Sequence, residues 1–375
     1  MKKTLLTLLA LAPMAVLAED TKYWVDPINT DLCYWVPGFS LDDPSTWYDV
    51  DKANNQLTGT PTSGDCLDGH YCWAATAANI VAQWENKNKE FVLTTQERAP
   101  KSAEAVFDEF IHTFEHSSGE TSNATSWYFT GEKQHGLGFK PAAQNKDGGY
   151  YQGLVSYETV YGDPMFQENS GWTPDPEGGF AIWDSSVYSI EGNDLYKQWT
   201  DNLVDCILNG YSVGISADGM YLDKEGEIGS YSHALTLMGV EVDDEGYLAR
   251  MWLTDSDDAT SFGTDMGLFS VSCAPIEDMT TYGISKEDYL NPPATVEEFN
   301  WAEGNVAVFS MKSDVADENG KLWYNGYVNE DVFDYFSGYS AIRITPLVDS
   351  NVPEPATGTL SLLALAGLAA RRRRK

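Results

Sequence analysis

The stretch that most constrains this chain runs from Cys66 to Trp84, CLDGHYCWAATAANIVAQW. Ala74, Ala75, Ala77 and Ala78 are strong helix formers, and Trp73, Ala77, Ile80, Val81 and Trp84 recur at helical spacing. A core helix is therefore predicted to open at or just after Cys72, behind a turn-prone run from Thr58 to Asp65. The Cys72 thiol then stands at a helix N-terminus. Unpaired backbone N–H groups and the positive end of the helix dipole favour a thiolate there, and the thiolate is the nucleophile. The competing reading is a buried, inert cysteine, and the rest of the chain has to decide between the two.

Both ends read as addresses. Met1 to Ala18 has a basic start (Lys2, Lys3), an apolar run from Leu5 to Leu17 and slim residues at Val16 and Ala18, the pattern of a secretory signal peptide cleaved after Ala18. The other end carries Val352, Pro353, Glu354 and Pro355, an apolar run from Leu360 to Ala370, then Arg371 to Lys375. It resembles the Pro-Glu-Pro sorting signals that exosortase systems process in Gram-negative bacteria. That resemblance implies an exosortase-type processing partner and a cell-envelope or extracellular location. The expected organisation is a signal peptide at 1–18, one domain at 19–348 and a sorting or anchor tail at 349–375. The chain has 57 acidic and 23 basic residues, and the two ends account for seven of the basic ones and one acidic one. The body from 19 to 352 is thus left at a formal charge of −40. Such a body repels nucleic acid and anionic membranes, so neither is expected as a partner.

Five cysteines, Cys33, Cys66, Cys72, Cys206 and Cys273, make an odd number for an exported chain. The leftover is either an intermolecular linker or a free reactive thiol. With Cys72 free, the other four allow two bridges in three pairings. Cys33 with Cys66 is favoured, since it would fix the run before Cys72. Cys206 lies in a helix-like stretch and Cys273 in a strand-like one, and both read equally well as buried thiols.

From Lys22 to Asp49 the aromatic-rich chain reads as loops and short strands over the core, and Lys52, taken alone, as a solvated charge. Ala103 to Phe114 is an amphipathic helix with Val106, Phe107, Phe110, Ile111 and Phe114 on one face. Its His112 and His116 lack the glutamate a zinc helix needs, so they are expected on a solvated face. Gly119 to Gly179 shows little periodicity and reads as long loops with short elements. Asp194 to Leu208 is helical and ends at Asn209-Gly210, Tyr211 to Ser216 is a strand, and Asp218 to Ser230 is a hairpin or loop. His233 to Val242 and Leu248 to Thr254 form a hairpin through the turn Asp243 to Gly246, with His233 starting the first strand and Asp255 following the second. Antiparallel pairing then brings imidazole and carboxylate to one end, where the acid can hold the ring's tautomer. Asp257 is two residues further and can face the same side. Strands are also expected at 267–273, 305–311 and 341–346, and the acidic turn from Asp314 to Lys321 is open to calcium although it lacks EF-hand spacing.

Three blocks resemble the secreted bacterial immunoglobulin-G-degrading (Mac-type) cysteine endopeptidases, whose fold is papain-like. They are WYDVDK at 47–52, CWAATAAN at 72–79 and SHALTLMGVEVDDEGYLARMWLTDSDD at 232–258. The resemblance implies an α+β papain-like fold in which the helix carrying the nucleophile packs against an antiparallel sheet carrying the histidine and aspartate. It implies Cys72 as nucleophile, His233 as base, Asp255 as its orienting acid, Asp257 as a supporting acid and Lys52 at the oxyanion site. No metal or organic cofactor is called for. The implied partner is a protein substrate, a host immunoglobulin or another secreted glycoprotein. Two other classes fit parts of the sequence. One is a non-catalytic envelope adhesin or glycan-binding protein using its many Trp and Tyr residues, and the other is a transglutaminase or amidase with the same thiol.

Overall fold

Two hydrophobic cores meet along one helix. The computed structural model describes residues 22–52, 70–115, 119–132, 138–141, 143, 146–162, 194–222, 228–257, 266–275, 309–316, 320, 322–324 and 332–347. The signal peptide, Cys66, His116 and the tail lie outside these residues. Helix α1 (Cys72–Lys87) forms where the alanine-rich pattern puts it. In the first core α1 packs with α3 (Ala103–Thr113) and α4 (Thr121–Thr130), and Trp73, Ile80, Val81 and Trp84 bury against Phe110, Phe114, Trp127 and Phe129. A shorter helix, α2 (Lys89–Gln96), follows α1 directly.

The second core belongs to an antiparallel sheet. Its strands are β1 (Cys33–Trp35), β2 (Val155–Gly162), β3 (Ser212–Leu222), β4 (Ile228–Val242), β5 (Leu248–Thr254), β6 (Leu268–Pro275), β7 (Phe309–Ser313) and β8 (Val332–Pro346). The hydrogen-bonded order is β1-β4-β3-β8-β7-β6-β5, and β5 also pairs with β4, so the six strands from β3 to β8 close on one another. Closure removes the free edges that an open sheet would expose. Ile215, Leu235, Leu253, Phe269, Phe309 and Phe336 fill this core together with Trp199 and Leu203 of α5 (Asp194–Leu208). Gly210 ends α5 at φ +86°, a conformation glycine adopts without strain, and the Tyr211 N–H returns to the Cys206 carbonyl. The architecture is thus mixed α and β, with an antiparallel sheet and a small set of helices.

Several sequence expectations need correcting. In the region 119–179, read as long loops with short elements, the described elements are α4 and β2. Helix α4, TSNATSWYFT, is buried nearly all round, so its small polar residues carry no amphipathic period. They are satisfied internally instead: the Thr125 hydroxyl lies 3.0 Å from the carbonyls of Thr121 and Ser122, and the Tyr157 hydroxyl donates to the Ser122 carbonyl at 2.7 Å. Strand β3 continues to Leu222 and β4 begins at Ile228, which makes 218–230 a hairpin and places His233 inside β4 rather than at its start. Strand β8 begins nine residues before the expected Ala341, at Val332. Cys33 is a free thiol and hydrogen-bonds the Asn29 carbonyl at 3.3 Å, so the favoured Cys33–Cys66 bridge is not formed, and Cys206 and Cys273 are free as well.

Polar groups join the apolar packing that holds α1 to the sheet. Asn79 Nδ2 donates to Thr236 Oγ1 of β4 at 3.0 Å and lies 3.5 Å from Thr254 Oγ1 of β5, and the Thr254 hydroxyl donates to the Tyr48 carbonyl at 3.0 Å. Further along, Trp84 Nε1–H donates to the Ile344 carbonyl of β8 at 2.9 Å. Replacing Asn79 by Ala leaves buried hydroxyls short of a partner, and such losses cost about 1–3 kcal/mol. Chemical denaturation of Asn79→Ala should therefore show a lower midpoint with an unchanged slope.

Candidate active site

Cys72 is the first residue of α1. The N-cap residue Tyr71 makes no side-chain capping bond; its hydroxyl donates to the Phe114 carbonyl at 2.6 Å. The next residue, Trp73, is seated by a close approach: a Cβ on Gly119 would lie 2.1 Å from the indole ring, so only glycine fits there. His233 reaches the thiol from β4, opposite Ala217 of β3. Thr236 and Thr254 are cross-strand partners, so His233 three residues before the one and Asp255 just after the other come to the same end of the pair. The hairpin geometry expected from the sequence is what the fold contains.

Three groups form a relay. The Cys72 thiol hydrogen-bonds the His233 imidazole and also receives the Ala234 backbone N–H. His233 Nε2 is bonded to Asp255 Oδ1, which leaves Nδ1 as the ring nitrogen for the sulfur. Asp255 is fully buried. Burial pushes the Cys72 thiol up, but the hydrogen bond and charge of His233, the Lys52 charge and the Ala234 N–H together bring it below its ordinary value. Burial likewise works against a charged His233, and the charge and hydrogen bond of Asp255, then Cys72, raise the imidazole well above its ordinary range. Burial raises Asp255 too, and the charge and hydrogen bond of His233, then the Asp257 N–H and Trp323, hold its carboxyl below the usual value. The directions agree with one another: each group favours the charged form of its neighbour, toward a thiolate beside an imidazolium beside a carboxylate.

Lys52 and Asp257 complete the cluster. Lys52 is 1% exposed, so it is not the solvated charge its sequence context suggests. Its Nζ lies 2.8 Å from Asp257 Oδ1, and its backbone N–H donates to the Ser256 carbonyl at 2.8 Å, which fastens the Lys52 segment to the residues after β5. Asp257 Oδ2 lies 3.6 Å from His233 Nδ1. All five residues singled out in the sequence, Cys72, His233, Asp255, Asp257 and Lys52, therefore converge. His233, Asp255 and Asp257 also offer donor atoms within 4.8 Å of one another, the spacing of a metal cluster. Protein groups already engage those atoms: Lys52 sits on Asp257, and Trp323 Nε1–H donates to Asp255 Oδ2 at 2.6 Å. The Tyr324 hydroxyl stands 3.4 Å from the same oxygen. Sequence reasoning missed Trp323 and Tyr324, because nothing in their local pattern distinguishes them from other aromatics in a turn.

The other candidate chemistry disperses. Burial, then the Glu241 charge, pushes the Cys33 thiol up to about 11, and burial also raises Cys206 and Cys273. His112 is exposed and sits 3.3 Å from Asp108, on a solvated face as expected. Asp314, at the head of the acidic turn, is bound by Arg250 Nε at 2.8 Å and by the Ser270 hydroxyl at 2.6 Å, so its carboxylate serves the sheet.

Cys72 is the only described cysteine whose thiol is lowered. A lowered thiol keeps a larger thiolate fraction as pH falls than raised ones do. At pH 6 an alkylating reagent should therefore modify Cys72 well ahead of Cys33, Cys206 and Cys273, as read by peptide mass mapping. His233→Ala should erase that lead, and so should unfolding in denaturant.

Comparison with known proteins adds one match. Residues 351–375 match the PEP-CTERM protein-sorting motif. No curated protein is similar to the chain. The motif marks an exported protein that is sorted to the cell envelope of a Gram-negative bacterium and handled by an exosortase-type processing enzyme.

Proposed function

We propose that the protein is an envelope-sorted cysteine endopeptidase of papain-like design that cleaves polypeptides, host secretory proteins among them, through Cys72, His233 and Asp255. The observation that carries this reading is the arrangement at the head of α1: a thiol lowered by an imidazole whose far nitrogen is held by a buried carboxylate. The likeness of three sequence blocks to the immunoglobulin-G-degrading endopeptidases supports the same chemistry, and makes immunoglobulin the first substrate to try.

In this mechanism the Cys72 thiolate attacks the carbonyl carbon of the scissile peptide, and the carbonyl electron pair moves onto oxygen. Lys52 and backbone N–H groups at the start of α1 meet the oxyanion. As the tetrahedral intermediate collapses, His233 gives its proton to the departing amine and a thioester remains on Cys72. Water then attacks the thioester with neutral His233 taking its proton, and collapse releases the acid and restores the thiolate–imidazolium pair. Asp255 holds the imidazole throughout, and Asp257 holds Lys52.

Incubating residues 19–352 with immunoglobulins and other secreted host proteins should give discrete fragments with new carboxyl termini by mass spectrometry. Cys72→Ala should give none. Intact substrates throughout, or products that are cross-linked rather than cleaved, would remove the endopeptidase reading. Lys52→Met should slow turnover by ~10²–10³, the usual cost of losing one oxyanion donor.

A further inference from the structure

Asp255 has two oxygens with separate duties. Oδ1 faces the relay, bonded to His233 Nε2 and accepting the Asp257 N–H at 2.9 Å. Oδ2 faces away, toward Trp323 Nε1 at 2.6 Å and the Tyr324 hydroxyl at 3.4 Å. These two residues come from neither strand of the hairpin that supplies His233 and Asp255. They follow β7, and the barrel fixes them firmly. The Ser313 N–H donates to the Tyr324 carbonyl at 2.7 Å, the Tyr324 N–H donates to Ser313 Oγ at 2.9 Å, and the Tyr324 ring stacks on Phe269 with centroids 6.1 Å apart.

We propose that Trp323 is a positioning residue for the Cys72–His233 pair, acting through the outer oxygen of Asp255. A carboxylate held at one oxygen only can rotate about its Cβ–Cγ bond, and that motion would take Oδ1 out of the plane His233 needs. A donor fixed at Oδ2 stops the rotation and supplies a charge-assisted hydrogen bond where water is excluded. The indole N–H suits the task because it donates and never accepts, so it cannot take a proton from the relay and favours the ionised form of Asp255 over the protonated one. The titratable groups at His233 are Cys72 from α1 and Asp255 and Asp257 from the segment after β5, with Lys52 paired to Asp257. Trp323 reaches this group through its hydrogen bond to Asp255.

The proposal rests on the relay described for the endopeptidase reading, so its test reads the relay and not proteolysis. The rate of Cys72 alkylation by iodoacetamide is followed from pH 5 to 10 in the full chain and in Trp323→Phe, which keeps an aromatic ring and removes the donor. The expected result is a ~10-fold slower reaction at pH 6, converging with the unsubstituted chain above pH 9, where the thiol ionises without help. Trp323→Gln, which restores an N–H donor, should recover a good part of the loss although it packs worse. Tyr324→Phe, which deletes the more distant donor, should change the rate less than threefold and gives a second reading should the Trp323 variants fold poorly. Superimposable profiles for the unsubstituted chain and Trp323→Phe would overturn the proposal, as would equal losses in the Phe and Gln variants or a larger loss in Tyr324→Phe. If His233→Ala abolishes reactivity at pH 6 while Trp323→Phe leaves it intact, the positioning role fails and the relay stands. If the unsubstituted chain itself shows no reactivity below pH 8, both fall together. A profile that shifts as expected upholds the role of Trp323 even if no polypeptide is cut.

Discussion

The structure depends on how the head of one helix meets the face of one sheet. Cys72 lies at the end of α1, and His233 and Asp255 lie on a β-hairpin, so the relay exists only while helix and hairpin keep their relative position to within a hydrogen bond. Apolar packing is a poor guarantor of that precision, because it is non-directional. The contacts that fix α1 on the sheet are instead directional: Asn79 to Thr236 of β4, and Trp84 to the Ile344 carbonyl of β8. Apolar packing against Val155, Ile342 and Ile344 holds α1 on the sheet, and these hydrogen bonds add direction to it.

The same division explains the electrostatics. Ionised groups buried in a protein are costly unless each is paired and hydrogen-bonded. In this cluster every charge has a partner: Cys72 with His233, His233 with Asp255, and Lys52 with Asp257. With Cys72 ionised, two cations and two carboxylates stand around one thiolate, so this largely buried group carries a net charge of only about −1. A thiol buried without such company, as at Cys273, is driven the other way and stays protonated. Burial by itself does not make a cysteine reactive or inert. Its neighbours decide.

Much of this was legible in the sequence, and the reasons are local. Alanine content and helical spacing announced α1, and two strands around an acidic glycine turn announced the β4–β5 hairpin. Because chemistry and periodicity coincided in both, Cys72, His233 and Asp255 could be named from short windows. Position within β4 was less legible: His233 follows Ile228-Gly229-Ser230-Tyr231-Ser232, and with only Ile228 and Tyr231 apolar that stretch carries little hydrophobic signal. Helix α4 was hidden for the opposite reason, since burial on all sides leaves no polar face to mark a period. Trp323 was invisible because its partner, Asp255, lies 68 residues away along the chain. Contacts made by a single turn residue across the fold leave no pattern in a window of sequence.

The grip of Trp84 on Ile344 also sets how far the sulfur lies from the last described strand residues before the sorting motif. Twelve helical steps lead from Cys72 to Trp84, about 18 Å at ~1.5 Å per residue. Strand β8 ends at Pro346, just beyond Ile344, and the sorting motif begins at residue 351. A pull on residues 351–375 therefore enters the body through the last residues of β8, at the Trp84 end of α1 rather than at its sulfur end.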